Sequence, residues 1–519
     1  MSAIARHMVR STASNLAGQV FVLATWFVLT PFVVHELGAT KYGLWVLVAS
    51  LVAYGDLLDL GVGGAVTKYV AELRPRGQSE EASALIATAL WIYSGVGLLV
   101  IAASVPLALV FPDLFHIAGP LRDDARWVVF LTGLALGVKL PAATAYAVLR
   151  GLQRFDLVNV ISVCSTLVQA ASTVAVLLLG WGVVGLAALV VPLTLLTQIP
   201  MRIVIHRVAP DLRLGWRGAH RRLVRTVASF SLALFVSNSA GVVKTKTDEI
   251  VIARALPLAT VAPYSIARRL SELPTILTYQ FVRLLLPLAS ELHGARQAER
   301  IRALYVASMR VTLALFVPVA TALMILAGPF LDAWVGARYA GDADVAVILL
   351  GAAMLDMAMW PAASLLQGTN GHRLLAVFGS ASALLNLGLS IALVRSVGVV
   401  GVALGTLIAA ALEVAVVVPF GMRRHGIPAA TMVRGALLPG LLPAVPAVVV
   451  LFTLRTALAP STLVSVIAVG AAGGLVYAVG YLSFSASALE RTALWQLAVG
   501  AWQLVRVRRL RRRRRAAHD

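Results

Sequence analysis

Leu149-Arg150-Gly151 followed by Gly182-Val183-Val184-Gly185 is a pattern the chain uses twice. It returns as Leu366-Gln367-Gly368 and Gly398-Val399-Val400-Gly401, at offsets of 217 and 216. A basic end follows each copy, His206-Arg207 in the first and Arg423-Arg424 in the second. Self-similarity over such a length points to a duplicated domain. Weaker echoes extend it, pairing Val9-Arg10 with Val224-Arg225 and Ala71-Glu72-Leu73 with Ser290-Glu291-Leu292. Coincidence is the competing reading, because short apolar matches are cheap in such composition. Two Gly-Val-Val-Gly turns in register make it the poorer one.

With 519 residues, 60% hydrophobic and 13% charged, and a mean hydropathy of +0.88, the chain has too much apolar surface to hide inside a soluble globule. The composition is that of an all-α polytopic membrane protein. The net charge of +21 does not indicate nucleic acid, since the cations fall in alternate connections instead of on one polar face. The single cysteine, Cys164, excludes a disulfide framework and a Cys-rich metal site. No histidine falls mid-span, so no intramembrane His relay is expected. The first apolar stretch, residues 12 to 34, is too long for a signal-peptide core and is expected to be retained.

Fourteen apolar runs have the length of a membrane span, centred near residues 23, 54, 95, 138, 168, 194, 236, 273, 315, 355, 383, 409, 444 and 473. Of the 44 Lys and Arg, 30 fall in the amino terminus, the even-numbered connections and the carboxyl tail, against 7 in the odd-numbered connections and 7 within spans. That asymmetry predicts both ends in the cytoplasm. The expected organisation is an N-lobe over 1–210 (spans one to six), a basic linker over 211–225, a C-lobe over 226–426 (spans seven to twelve), spans thirteen and fourteen over 427–485, and a basic tail over 486–519. Two repeats of six spans enter the membrane the same way up, so their axis is expected along the membrane normal. The tail cluster Arg511 to Arg515 is read as a juxtamembrane contact for anionic lipid.

No Walker A loop, His-Glu-x-x-His or Gly-x-Ser-x-Gly motif occurs. Gly61-Val62-Gly63-Gly64 is a lone glycine cluster within an apolar run, better read as close helix packing than as a phosphate cradle. The longest outer connection, residues 111 to 125, is too small to hold a catalytic domain. The expectation is a protein that is not an enzyme and needs no cofactor or metal.

Charges inside spans carry the functional reading, because each costs about 2.5–3.5 kcal/mol at the bilayer centre unless it has a partner or a wet cavity. Asp56 and Asp59 lie in span two, Lys139 in the middle of span four, and Lys244, Lys246, Asp248 and Glu249 in the outer part of span seven. Span eight carries Arg268, Arg269, Glu272 and Arg283, span ten Asp356 and span twelve Glu413. Taken as a set they predict an aqueous cavity for an anionic headgroup. The competing reading is internal pairing, such as Lys139 with Asp56 or Asp59, and for Lys244 to Glu249 a wetted helix end. The candidate cavity residues are Lys139, Asp356, Asp56, Asp59, Lys244, Lys246, Arg268 and Arg269; the candidates for coupling to H+ or Na+ are Asp59, Asp356 and Glu413. The repeat offset carries Lys139 onto Asp356, which would give the cleft one cationic and one anionic wall at one depth.

Asn15, Thr30-Pro31-Phe32, Leu37-Gly38, Tyr42-Gly43-Leu44-Trp45 and Leu58-Asp59-Leu60-Gly61 together resemble the first two helices of the polysaccharide-transporter and oligosaccharide-flippase family, within the multidrug/oligosaccharidyl-lipid/polysaccharide exporter superfamily. Asp248 to Ile252 with Tyr264, Ala267 and Arg268 resembles that family's seventh and eighth helices. The resemblance implies a bacterial inner-membrane flippase. It would move a polyprenyl-pyrophosphate-linked oligosaccharide outward by alternating access, alongside polysaccharide polymerase and glycosyltransferases. Multidrug exporters and lipid II flippases of the superfamily are the alternatives, but span one has neither the acidic residue typical of the former nor the arginine motif of the latter. A non-transporting protein of glycan assembly is the alternative from another class.

Overall fold

The computed structural model describes residues 3–487 and 490–492, so the arginine-rich tail and its expected lipid contact lie outside the described residues. All regular structure in the described part is helical. In chain order the helices are α1 (Ala3–Gly55), α2 (Val62–Leu73), α3 (Ser79–Leu114), α4 (Leu121–Gly151), α5 (Phe155–Leu178), α6 (Gly182–Val208), α7 (Arg221–Ala255), α8 (Val261–Glu272), α9 (Thr275–Val282), α10 (Leu285–Gly294), α11 (Ala298–Ile325), α12 (Ala327–Val335), α13 (Ala343–Gly368), α14 (His372–Val397) and α15 (Val399–Arg424). Two further helical stretches follow, Ala429–Leu458 and Leu463–Ser485.

Eleven helical stretches among the described residues are long and apolar enough to cross a membrane, against fourteen apolar runs in the sequence. Three local features make the difference. Runs one and two share α1, whose non-helical residue is Gly38 at φ 69° and ψ 165°. Run seven is α7, where charges dilute the apolar stretch. Run eight is divided into α8, α9 and α10, with Pro274 at the first break. The other span prolines, Pro31, Pro141, Pro192, Pro318 and Pro361, sit inside continuous helices, so of the six only Pro274 interrupts one.

The duplicated turns have the same local construction in both copies. Gly182 and Gly398 have positive φ, 58° and 71°, where a side chain would be strained. A Cβ on Gly185 would come within 2.6 Å of Val176, and one on Gly401 within 2.5 Å of the Leu393 carbonyl oxygen. Each turn thus reverses the chain at its first glycine and lets the next helix press on the preceding one at its fourth.

Span two is broken in mid-course. After Gly55 the chain makes a short 3-10 turn, Asp56–Asp59, and then Leu60 and Gly61 both take left-handed backbone, φ 51° and 78°. The Asp59 carboxylate accepts the Gly63 amide at 3.3 Å and the Tyr93 hydroxyl, which satisfies the new helix start at α2. The glycine cluster therefore breaks a helix as well as packing one. A Cβ on Gly63 would lie 3.2 Å from the Tyr93 hydroxyl oxygen.

Contacts gather the chain into two compact units, the first running to Ile276 with Leu331–Leu355 and Gly371–Val416, the second holding Leu277–Phe330, Asp356–Asn370 and the chain from Val417 onward. In the first, Val66, Ile86, Tyr93, Val148 and Leu149 centre a fully buried apolar cluster. The backbones of α3 and α4 meet there: a Cβ on Gly97 would sit 2.4 Å from the Gly137 carbonyl oxygen. Gly97→Ala is expected to destabilise by ~1–3 kcal/mol, read as a lower melting midpoint in detergent. Gly95→Ala, with nothing within 4 Å of its new methyl, should leave the midpoint level or slightly raised.

The basic linker is docked, not loose. Asp211 accepts from Arg74 at 3.1 and 3.2 Å and from Ser79 at 2.6 Å, and these bonds, Arg74's first, hold its carboxyl down to about 2. Ser83, Trp91 and Thr88 of α3 bind the linker backbone at Arg213, Trp216 and His220. In the second unit, Arg310 pairs with Glu490 at 2.8 Å, and Arg302 donates to the His425 carbonyl at 2.7 Å. Burial, with Arg424 and His293 nearby, pushes the His425 imidazole down.

Candidate functional site

The first unit holds three cavities that share lining residues. The first, about 210 Å³, lies among α1, α7 and α8 and is lined by Trp26, Thr30, Trp45, Lys246, Glu249, Arg268, Arg269, Glu272 and Trp334. Trp26, Thr30, Trp45 and Arg269 also line a small second one of about 40 Å³. It shares Gln169, Val190 and Leu193 with a groove of about 850 Å³ between α4, α5 and α6, which carries Lys139, Tyr146, Cys164, Thr197 and Gln198. Four of the predicted site residues line these cavities: Lys246, Arg268 and Arg269 the first, Lys139 the groove.

Their charges are not equally compensated. Lys139 is bonded to Asp56 at 2.7 Å, both side chains about half exposed, so the pair contributes little to stability. Arg268 is buried between Asp248, Glu249 and Glu272, at 3.5, 4.0 and 3.8 Å. Arg269 donates to the neutral Thr30 hydroxyl at 2.9 Å. Among the described residues neither Arg269 nor Lys246 forms an ion pair. Both line a cavity with three tryptophans, which they share with Arg268 and the carboxylates Glu249 and Glu272. Trp334 stacks on Phe27, ring centroids 4.5 Å apart, and donates to its carbonyl at 3.0 Å. That ring is fixed in place.

Other predicted residues are engaged elsewhere. Lys244 donates to Glu413 at 2.8 Å, with side chains 18% and 6% exposed. Asp59 is held by Tyr93 and Gly63 at the helix break. Asp356 belongs to the second unit. The reading of span seven's charges as a wetted end fails for Asp248 and Glu249, which are buried.

Two groups gained importance that the sequence left unassigned. Asp248 accepts from the hydroxyls of Tyr264, Thr406 and Ser390 at 2.6, 3.0 and 3.2 Å, tying α7 to α8, α15 and α14 around one carboxylate. Glu249 keeps one carboxyl oxygen buried without a hydrogen-bond partner, as does the Arg268 Nε. The signal for both was the Asp248-Glu249 pair in an apolar run. What hid the network was that two of its three hydroxyls, those of Ser390 and Thr406, come from helices more than a hundred residues away.

Cys164 is exposed and lines the large groove. A hydrophilic maleimide is expected to label it in native membranes, because the reactive thiolate forms only in water. A thiol that stays unlabelled until detergent is added would mean the groove is filled with lipid.

A family model described as Polysaccharide biosynthesis protein matches residues 37–343, more than half of the chain. The chain belongs to this polysaccharide biosynthesis family. No curated protein matches it in sequence. Among solved structures, the lipid II flippase MurJ in an inward closed conformation is similar to this family member with a TM-score of 0.70 at 13% identity, covering 91% of this chain and 98% of that one. An inward-facing multidrug resistance MATE family transporter of the MOP superfamily gives 0.69 at 15% identity, covering 80% and 94%. A MOP superfamily transporter from Pyrococcus furiosus gives 0.59 at 16%, covering 80% and 95%. Identities this low establish the fold: this polysaccharide biosynthesis family member is a multi-pass membrane protein with the fold of the MOP-superfamily transporters.

Proposed function

We propose that the protein is a flippase that carries a polyprenyl-pyrophosphate-linked oligosaccharide, the precursor of a cell-surface polysaccharide, across the bacterial inner membrane by alternating access. The observation that carries this reading is the pair Lys246 and Arg269, cations without an ion-pair partner among the described residues, facing a tryptophan-lined cavity. A pyrophosphate supplies counter-charge beyond that of Glu249 and Glu272, since three cations line the cavity against two carboxylates, and a guanidinium offers it paired donors. The flat faces of Trp26, Trp45 and Trp334 suit the apolar faces of sugar rings, while the polyprenyl chain stays in lipid. No bond is made or broken, so the protein acts as a transporter and not as an enzyme, supplied by glycosyltransferases and emptied by a polymerase.

Both termini lie in the cytoplasm in this reading, and the two six-span lobes, 1–210 and 226–426, alternate about the cavity. Of the carboxylates, Asp59 is engaged by Tyr93 and Glu413 by Lys244, whereas Glu249 lines the cavity with an oxygen left unbonded. Glu249 thus joins Asp59, Asp356 and Glu413 as a candidate to take up the coupling cation, H+ or Na+. The test is cellular. Depleting the protein should make lipid-linked oligosaccharide accumulate on the cytoplasmic leaflet while surface glycan falls. Normal surface glycan in depleted cells would overturn the reading.

A further inference from the structure

The odd-numbered connections are poor in cations, as an outer face should be, and their seven basic residues are Lys41, Arg122, Arg126, Arg254, Arg338, Arg395 and Arg455. Most are accounted for locally. Lys41 pairs with Asp124 at 3.4 Å, Arg122 with Asp113 at 2.8 Å and Arg126 with Asp123 at 3.1 Å, while Arg455 donates to the Ile325 carbonyl at 2.6 Å. Arg254 and Arg395 are different. Neither forms an ion pair among the described residues, and the two come from separate connections, the end of α7 and the end of α14, to line one pocket.

That pocket measures about 770 Å³, within the ~300–1,000 Å³ of ordinary ligand sites. Its third polar wall is His116 of the α3–α4 connection, whose backbone is held in the left-handed region at φ 53°. Thr40 adds a hydroxyl, and Phe115 and Pro257 form part of the apolar lining. No carboxylate lines it. Four odd-numbered connections, the first, third, seventh and eleventh, thus converge on a site with two guanidiniums, an imidazole and a hydroxyl. On a face where cations are scarce, two guanidiniums gathered with no carboxylate in the lining fit an anion.

We infer that this pocket is a second anion site, at the outer mouth, for the pyrophosphate of the lipid-linked headgroup after it has crossed. The inference rests on the flippase reading and the outward orientation above. It gives the headgroup a station distinct from the Lys246 and Arg269 cavity. Because Arg254, Arg395 and His116 are exposed, solvent and salt screen them. The site therefore holds the headgroup weakly enough to release it.

The outer-leaflet anionic lipids carry the same phosphate chemistry, so the experiment has two arms. The full-length protein is placed in phosphatidylcholine nanodiscs and titrated with inorganic pyrophosphate by calorimetry, in a Lys246→Gln/Arg269→Gln background that removes the cavity's free cations. Salt-sensitive binding should persist there, and adding Arg254→Gln/Arg395→Gln should weaken it about tenfold or more. Arg254→Lys/Arg395→Lys, which keeps the charge, should retain most of the binding and shows that loss is not misfolding. In the second arm, native mass spectrometry counts phosphatidylglycerol retained from mixed nanodiscs, and the glutamine pair should leave that count unchanged. Pyrophosphate binding that ignores the glutamine pair overturns the inference, as does a fall confined to retained phosphatidylglycerol. Neither result touches the flippase reading, which depends on transport in the unaltered protein.

Discussion

Arg268→Met is expected to lower the stability of the detergent-solubilised protein by roughly 3–5 kcal/mol, the usual cost of removing one partner from buried charges. The reason is local. Arg268 is the cation within 4.0 Å of both Asp248 and Glu249, whose side chains are 1% and 3% exposed. Asp248 keeps three hydroxyl donors when the guanidinium goes, whereas Glu249 already has an oxygen without a partner. Most of the loss should therefore come from Glu249. Adding Glu249→Gln to Arg268→Met should recover a large part of the melting midpoint, while Asp248→Asn should recover little. A midpoint for Arg268→Met no lower than that of Arg122→Met, on an exposed surface pair, would contradict this reading of the cluster.

Breaking the Lys244–Glu413 pair should have an effect of similar size, with an asymmetry that identifies its cause. Glu413 is the more deeply buried partner, 6% against 18% exposed. Lys244→Met leaves that carboxylate without its cation and is expected to cost about 3–5 kcal/mol. Replacing both residues by methionine removes the uncompensated charge along with the attraction, and buried pairs exchanged for apolar residues are often neutral or stabilising. The double variant should therefore melt above the Lys244→Met single variant, a coupling that a double-mutant cycle reads directly. Additive losses would mean that the two side chains contribute independently.

The architecture was legible because lipid makes it so: a chain this apolar must satisfy its backbone within helices, and duplicated glycine turns mark the repeat in plain residues. Gly182 and Gly398 at positive φ, and Gly185 and Gly401 under the preceding helix, show why those letters recur. Span boundaries were less legible where function intrudes. The break at Leu60 and Gly61 looked like helix packing because its stabilising partner, Tyr93, lies 34 residues beyond Asp59. The intramembrane charges identified the residue types of the site and, for Lys139, the pairing with Asp56 that was the competing reading, but no other partner. Lys244 next to Glu413 is a choice of tertiary packing, and nothing in local periodicity separates it from Lys246 and Arg269.

That separation is what the account rests on, and reconstituted transport tests it most directly. Proteoliposomes carrying the purified protein and a polyprenyl-pyrophosphate-linked oligosaccharide are assayed for arrival of the sugar at the far leaflet, using a membrane-impermeant lectin. The unaltered protein should move the lipid. Lys246→Gln/Arg269→Gln should slow it about a hundredfold, as expected when two charge-assisted contacts are lost, while melting well above Arg268→Met, because neither residue belongs to an ion pair and Arg269 gives up a single bond to Thr30. Equal flipping rates in the parent and this variant, at equal reconstituted amounts, would contradict the account.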